Sequence, residues 1–403
     1  MTELLRPVSC RLVRPEWAER VVSPAYDAMS GAQREELMAR DPYVFLHVTR
    51  TPRTDEPELV AAALEDSARS FERLVAAGVF GDETPPAYYL YRLATADHVQ
   101  LGLVGDVSLA AHDAGRLLPH EQVRPRRAEQ LAAHLARLRM NSSPVAFAYR
   151  HDDAVTSAME SVAAATTPVL DFERGDHLHQ TLWRIDDPEF CTLIGDHFAD
   201  QRLYVIDGHH RVAASLAYRA LRHAEGHTGA GAPHEFLLGA LFADSALHIV
   251  AFHRIVAGPL AGPPAELLAG LGALGEVIEV AGPPALDPTG PMSVGVYLDR
   301  RWYLLRLSGA DPSALDVDLL HELVLPVFGV HDGALDDRVD YVPDVSGVED
   351  LVARCDADGG AAFVIRPLRF DQLMEVADRG GVMPPKSTYF TPKVRSGVFC
   401  CAR

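Results

Sequence analysis

The sequence predicts an α+β fold with mixed sheets. Three observations point there. Apolar or alternating runs of strand length recur along the whole chain, as in AYYLYRL (87–93) and FLLGALF (236–242). Between them lie stretches with helical spacing, clearest over 57–77, where Val60, Leu64, Phe71, Leu74 and Val75 recur every three or four positions. The two kinds of segment do not alternate in the regular way that a doubly wound parallel sheet requires.

Taken in order, Pro24 and Asp27 in SPAYD mark a loop, and Ser30 can cap a helix running to about Arg40. The helix over 57–77 stops at Gly78. AYYLYRL and VQLGLVGDVSL then read as a hairpin turning at Ala96-Asp97. A helix from Arg126 to Met140 follows, and Asn141-Ser142-Ser143-Pro144 turns the chain into the strand VAFAY. The middle section runs strand PVLDF, helix Pro188 to Ala199, strand LYVID, and a helix carrying Val212, Leu216, Tyr218 and Leu221. After the flexible connector HAEGHTGAGAPHE come strands at FLLGALF and LHIVAF. A Gly/Pro-rich stretch over 257–291 holds one helix. Beyond it lie VGVYLDRRWYLLRL, a helix from Leu315 to Val327, the strand AAFVIRPL and a helix from Phe370 to Ala377.

The chain has 403 residues, enough for two or three domains. Its 37 basic against 56 acidic residues give a net charge of −19. Such a surface repels phosphate backbones and anionic lipid, so neither nucleic acid nor membrane is expected as a partner. The five cysteines have no framework spacing, and no apolar run approaches a bilayer-spanning length. The opening MTELLRPVSCRLV lacks the pattern of a signal peptide, and a cytoplasmic location is expected.

The most informative stretch is LYVIDGHHRVAASLAYR, residues 203–219. A helix starting directly after a strand offers outward N–H groups and the positive end of its dipole, an arrangement that suits phosphate. Gly208 permits close approach to the backbone, Arg211 can fork onto two phosphate oxygens, and His209 and His210 can add donors. Asp207 can accept a proton or hold magnesium. The turn is not a Walker loop, because the lysine and longer glycine spacing are absent. A purely structural turn, in which Asp207 caps the helix and Arg211 pairs with an acid, stays open, as does a metal site.

Other constellations are less specific. LPHEQV places His120 and Glu121 in a loop before a helix. In MPPKSTYF, Pro384 and Pro385 stiffen the approach to Lys386, Ser387, Thr388 and Tyr389, a lysine and three hydroxyls suited to a carboxylate or phosphate. AFHRIV puts His253 and Arg254 at a strand end, as a ligand contact or as a buried pair bonded to an acid. His177 and His179 imitate a metal site but lack a third ligand of suitable spacing.

The DGHHR turn, together with RVVSPAYDAMS, LPHEQV, NSSPVAFAY, HQTLWRI, FHRIV, HELVLPVFGV and MPPKSTYFTPKV in that order, closely resembles the DUF1015 family over essentially the whole chain. The turn and motif order in turn resemble the ParB/sulfiredoxin-like free serine kinases. Sulfiredoxins carry a cysteine where His209 stands, so sulfinic acid repair is not expected. The resemblance implies a ParB/sulfiredoxin-like nucleotide-binding core over 111–223, flanked by an N-terminal α+β region (1–110) and a C-terminal one (224–403) that closes the site. It implies ATP or ADP on Gly208, His209, His210 and Arg211, with magnesium at Asp207. Catalysis would fall to Glu121, Asp207 and His210, with Glu121 activating the hydroxyl of a free amino acid. Lys386 and Thr388 would grip that substrate's carboxylate, with Ser387, Tyr389, His253 and Arg254 beside them. The implied reaction converts L-serine to O-phosphoserine; a nucleotide-binding regulator or sensor without turnover is the alternative.

Overall fold

Strand-forming runs in the first 250 residues pair across long sequence separations. In the computed structural model, which describes residues 3–24, 29, 31–50, 56–287, 292–311, 314–332, 336–384 and 386–403, they join one large sheet. Asp27, Ser30 and Pro385 lie outside the described residues. The fold is α+β with several sheets, in two units: residues 1–248 with 392–403, and residues 249–391.

The first unit is built on a nine-stranded sheet. Its order runs Leu117–Leu118, Leu203–Asp207, Val145–Tyr149, Phe236–Ala243, Val99–Ser108, Tyr88–Ala94, Leu178–Ile185, Leu170–Arg174, with Leu5–Arg6 added against Val99–Ser108. Most neighbours are antiparallel; Val145–Tyr149 runs parallel to Phe236–Ala243. The central strands are apolar on both faces, and Phe147, Leu203, Val205, Leu237 and Leu241 are buried in one continuous core. Strands from before residue 110, from 111–223 and from beyond 224 share this sheet, so the expected boundaries at 110 and 223 cut through it.

Local chemistry explains the helices that frame the site. Pro125 opens the helix Pro125–Leu138, where a missing N–H is harmless. Asp187 caps Pro188–Phe198 by accepting from the Phe190 N–H at 2.8 Å. The helix His209–Ala224 buries Val212, Ala214, Ser215 and Tyr218 on one face. The C-terminal segment returns to this unit: Phe399–Ala402 pairs with Arg11–Leu12 and Met140–Asn141, and Arg403 bonds Asp106 at 2.7 Å.

The second unit is a six-stranded antiparallel sheet, ordered Gly275–Val280, Arg301–Leu307, Ser293–Leu298, Ala361–Val364, Phe252–Val256, Val339–Pro343. Ile255, Tyr297, Ala362 and Val364 pack with Leu351 and Cys355 of the helix Val348–Asp358. His253 and Arg254 lie within the strand Phe252–Val256, not at its end. The helix expected over 315–327 is broken into a short helix Asp316–Leu319, one wide turn and a 3-10 turn Leu325–Phe328. Pro326 explains the break, since it removes an N–H and crowds the preceding turn.

Candidate active site

The turn after Leu203–Asp207 departs from the helical path at Gly208, which holds φ +105°. Glycine is required there twice over. That backbone region is costly for a residue with a side chain, and a Cβ would meet the Arg211 guanidinium at 2.8 Å. The guanidinium therefore lies directly over the glycine. It is held there by the Asp207 carboxylate and by the carbonyls of Ser143 (3.0 Å) and Pro144.

Asp207 is the electrostatic centre of the turn. One carboxylate oxygen accepts from Lys393 Nζ at 2.8 Å and the other pairs with Arg211. Burial alone would raise its pKa, but Lys393 and Arg211 overcome this and hold the carboxyl well below the usual range. Both oxygens being engaged by cations, Asp207 does not fit the expected magnesium ion, which needs carboxylate oxygens free to coordinate.

Through Nε2, both histidines brace a loop. His209 Nε2 accepts from the backbone N–H of His120 at 3.4 Å, across 89 positions of sequence. His210 Nε2 accepts from the N–H of Arg124 at 3.1 Å. Two adjacent imidazoles thereby clamp both ends of the segment that carries Glu121. Burial pushes His209 down to about 4, with His210 and Arg211 adding to that shift against the opposing pull of Asp207, so the ring is neutral at physiological pH. An Nε2 that accepts leaves the proton on Nδ1. That Nδ1 lies 3.6 Å from Glu121 Oε2. His120, edge-on to His209 with centroids 4.5 Å apart, is buried and also held well below its ordinary pKa, first by burial and then by His209.

Sequence reasoning thus placed Glu121, Asp207, His209, His210 and Arg211 in one cluster, and they are in one cluster. It missed Lys393, although the MPPKSTYFTPKV motif contains it. The signal available was a lysine between Pro392 and the apolar Val394; in the structure its side chain is only 8% exposed. It also missed the turn Ser142-Ser143-Pro144 as the seat of Arg211. There the Ser143 and Ser396 hydroxyls bond each other, and the Gly397 N–H donates to the Ser142 carbonyl.

The remaining expected residues belong to the second unit. Lys386 is half-buried, has a left-handed backbone (φ +59°), and carries its Nζ 5.2 Å from the centroid of the Phe252 ring. Ser387 donates to the Pro384 carbonyl at 2.7 Å, and Tyr389 is buried edge-on against Phe252. His253 bonds Asp344 through Nε2 at 2.9 Å and accepts from the Ile365 N–H through Nδ1. Arg254 is fully buried. It bonds His321 and the Phe252 carbonyl and stacks over Tyr341, while its Nη2 has no hydrogen-bond partner among the described residues. Burial lowers its pKa to about 10.

The family model described as a protein of unknown function, DUF1015, matches residues 5–323. The chain belongs to the DUF1015 family. No curated protein matches this DUF1015 member. Solved structures that overlap with it in part include SbnI with C-terminal truncation from Staphylococcus aureus, at 11% identity over 72% of this chain and 84% of that one, TM-score 0.39. A free serine kinase in complex with AMP overlaps at 14% identity over 73% and 91%, TM-score 0.34. A conserved hypothetical protein from Pyrococcus furiosus overlaps at 14% identity over 76% and 97%, TM-score 0.35. Likenesses this partial carry no functional argument. No described helix is long and apolar enough to cross a membrane.

Proposed function

We propose that this DUF1015 protein is a small-molecule kinase with a ParB/sulfiredoxin-like core, transferring a phosphoryl group from ATP or ADP to the hydroxyl of a free amino acid, L-serine by resemblance. The observation that carries the reading is the position of Glu121. A carboxylate is held 3.6 Å from a neutral His209 at the start of a helix that follows a strand. Phosphoryl transfer asks chiefly for a phosphate seat, charge neutralisation and a base beside the attacking alcohol.

In this reading the nucleotide phosphate lies against Gly208 and the N-terminus of His209–Ala224, where the helix dipole favours negative charge. Arg211 and Lys393 supply positive charge, and Asp207 anchors both. His209 and His210 are positioning residues that fix the Glu121 loop. Glu121 takes the hydroxyl proton as the alcohol oxygen bonds phosphorus, and the terminal phosphoanhydride bond breaks to release ADP or AMP. No step is routed through magnesium at Asp207. In the second unit, Lys386 and Thr388 are proposed to bind the substrate carboxylate. The left-handed backbone at Lys386 supports a special role, since such strain concentrates at ligand-binding positions. His253, Ser387 and Tyr389 are proposed to shape that region, each being held by its own neighbours.

The test is turnover of terminally labelled ATP and ADP with serine, in wild type and Glu121→Gln. The expected result is labelled O-phosphoserine, lost by about 10²-fold or more in the variant while nucleotide affinity persists. Nucleotide binding without turnover on any hydroxylated amino acid would overturn the kinase reading in favour of a sensor.

A further inference from the structure

At the opposite end of the helix that starts at the DGHHR turn, three side chains converge that the proposed kinase chemistry does not use. His223 lies in the last turn of His209–Ala224, and His234 and Glu235 lie in the single turn Pro233–Glu235 that leads into the strand Phe236–Ala243. One donor atom from each falls within 4.8 Å of the others. His223 Nε2 contacts Glu235 Oε1, and His234 Nε2 is 3.6 Å from the same oxygen. From these residues we infer a zinc-class metal site, a clamp that closes the connector between helix and strand.

The donor set selects the ion. Two imidazoles and one carboxylate are a three-ligand zinc set with one position left for water, whereas calcium and magnesium need six or more oxygens or keep several waters. Donors sharing one tetrahedral ion through bonds of about 2.0–2.2 Å stand roughly 3.3–3.6 Å apart. The His234–Glu235 separation already meets that spacing. The His223 side chain, 40% exposed, has room to withdraw and admit the ion, while Glu235 is only 12% exposed and stays fixed.

Location favours a cation as well. The C-terminus of a helix carries the negative end of its dipole, and His223 stands in that last turn. The chain between the ligands is glycine-rich and mostly exposed, with Gly226 at φ +91°. Fixing both its ends removes loop entropy from the unfolded state, the general means by which a metal clip stabilises. In the ion-free arrangement His234 Nε2 rests 2.9 Å from the His227 carbonyl, so binding exchanges one hydrogen bond in the connector for a metal bond. His223 stands fourteen residues along the helix from His209, about 21 Å at ~1.5 Å per residue, which separates the clamp from the DGHHR turn. Nucleotide chemistry and metal binding are therefore separable.

The experiment uses full-length protein freed of any purification tag, titrated with Zn²⁺ against a chromogenic chelator. One equivalent per chain is expected, together with a Tm raised by zinc and restored to its metal-free value by EDTA. Cobalt substitution should give visible bands without thiolate charge transfer, which separates this site from the five cysteines. His223→Gln and Glu235→Gln, each checked for native circular dichroism, should lose the equivalent and the Tm response. Zinc bound with unchanged stoichiometry in both variants, thiolate charge transfer with cobalt, or no uptake by wild type would each overturn the site.

Discussion

Gly208→Ala isolates the geometry on which the candidate site depends. Two costs add at this position. The backbone sits at φ +105°, and placing a Cβ in left-handed space costs roughly 1–2 kcal/mol. The new methyl would also stand 2.8 Å from Nε and Nη2 of Arg211 and 2.9 Å from its Cζ. A surface guanidinium would swing aside at little cost. This one is held by Asp207 and by two carbonyls, so displacement forfeits at least one charge-assisted bond, worth about 1.5–3 kcal/mol. The expected loss is about 3–5 kcal/mol. Gly78→Ala is the matched control in the same unit: φ is +72°, yet nothing lies within 4 Å of its Cβ, so only the backbone cost applies. At ~2–4 °C per kcal/mol for a unit of this size, the extra ~1.5–3 kcal/mol should make Gly208→Ala melt roughly 3–12 °C below Gly78→Ala. Equal melting shifts by differential scanning calorimetry would refute the view that Arg211 is locked over the glycine.

Three further outcomes follow from the same contacts. Asp207→Asn removes the anion shared by Lys393 and Arg211 and strands two cations, so it should cost about 3–5 kcal/mol in urea unfolding, more than Lys393→Met, which leaves Arg211 paired. His209 is held neutral with its pKa at about 4, chiefly by burial, while the unfolded chain takes the proton near 6.5. Stability is therefore complete above pH 6.5 and falls as the pH drops towards 4, by at most about 3 kcal/mol from this group. His209→Gln, which keeps an acceptor for the His120 N–H, should flatten that part of the Tm–pH curve, and an unchanged slope would assign it elsewhere. Lys386→Met should raise KM for serine with little change in kcat and erase the preference for serine over serinol; steady-state kinetics showing that preference intact would remove Lys386 from carboxylate binding.

Strongly periodic segments were legible from the sequence. The helices at Pro57–Ala76, Pro125–Leu138, Pro188–Phe198 and Phe370–Asp378 lie within a few residues of their expected bounds, because apolar spacing and start or stop residues agree there. The helix Asp153–Ala165 was not, since its alanine-rich sequence carries little periodic contrast. Its one signal was Asp152, whose side chain accepts from the Val155 N–H. The strand Gly275–Val280 was also hidden inside a Gly/Pro-rich stretch, where local composition argues for loop and only pairing with Arg301–Leu307 makes a strand.

What the sequence left undecided was the direction of each hydrogen bond. Imidazole can donate or accept, and a DGHHR turn read alone offers its histidines to a ligand as readily as to the protein. The loop 89 positions away fixes the role of one nitrogen of each ring, Nε2, by presenting backbone N–H groups that only an acceptor can satisfy. The same limit applied to His253 and Arg254, open in sequence to being a pair sharing one acid. Neighbours along a strand face opposite sides of the sheet, so a single carboxylate cannot serve both. Asp344 goes to His253, and Arg254 is left with an aromatic ring, a carbonyl and His321, whose pKa burial and Arg254 itself drive down to about 4. The residue types were all visible in advance; which face and which partner each received was decided by strand pairing.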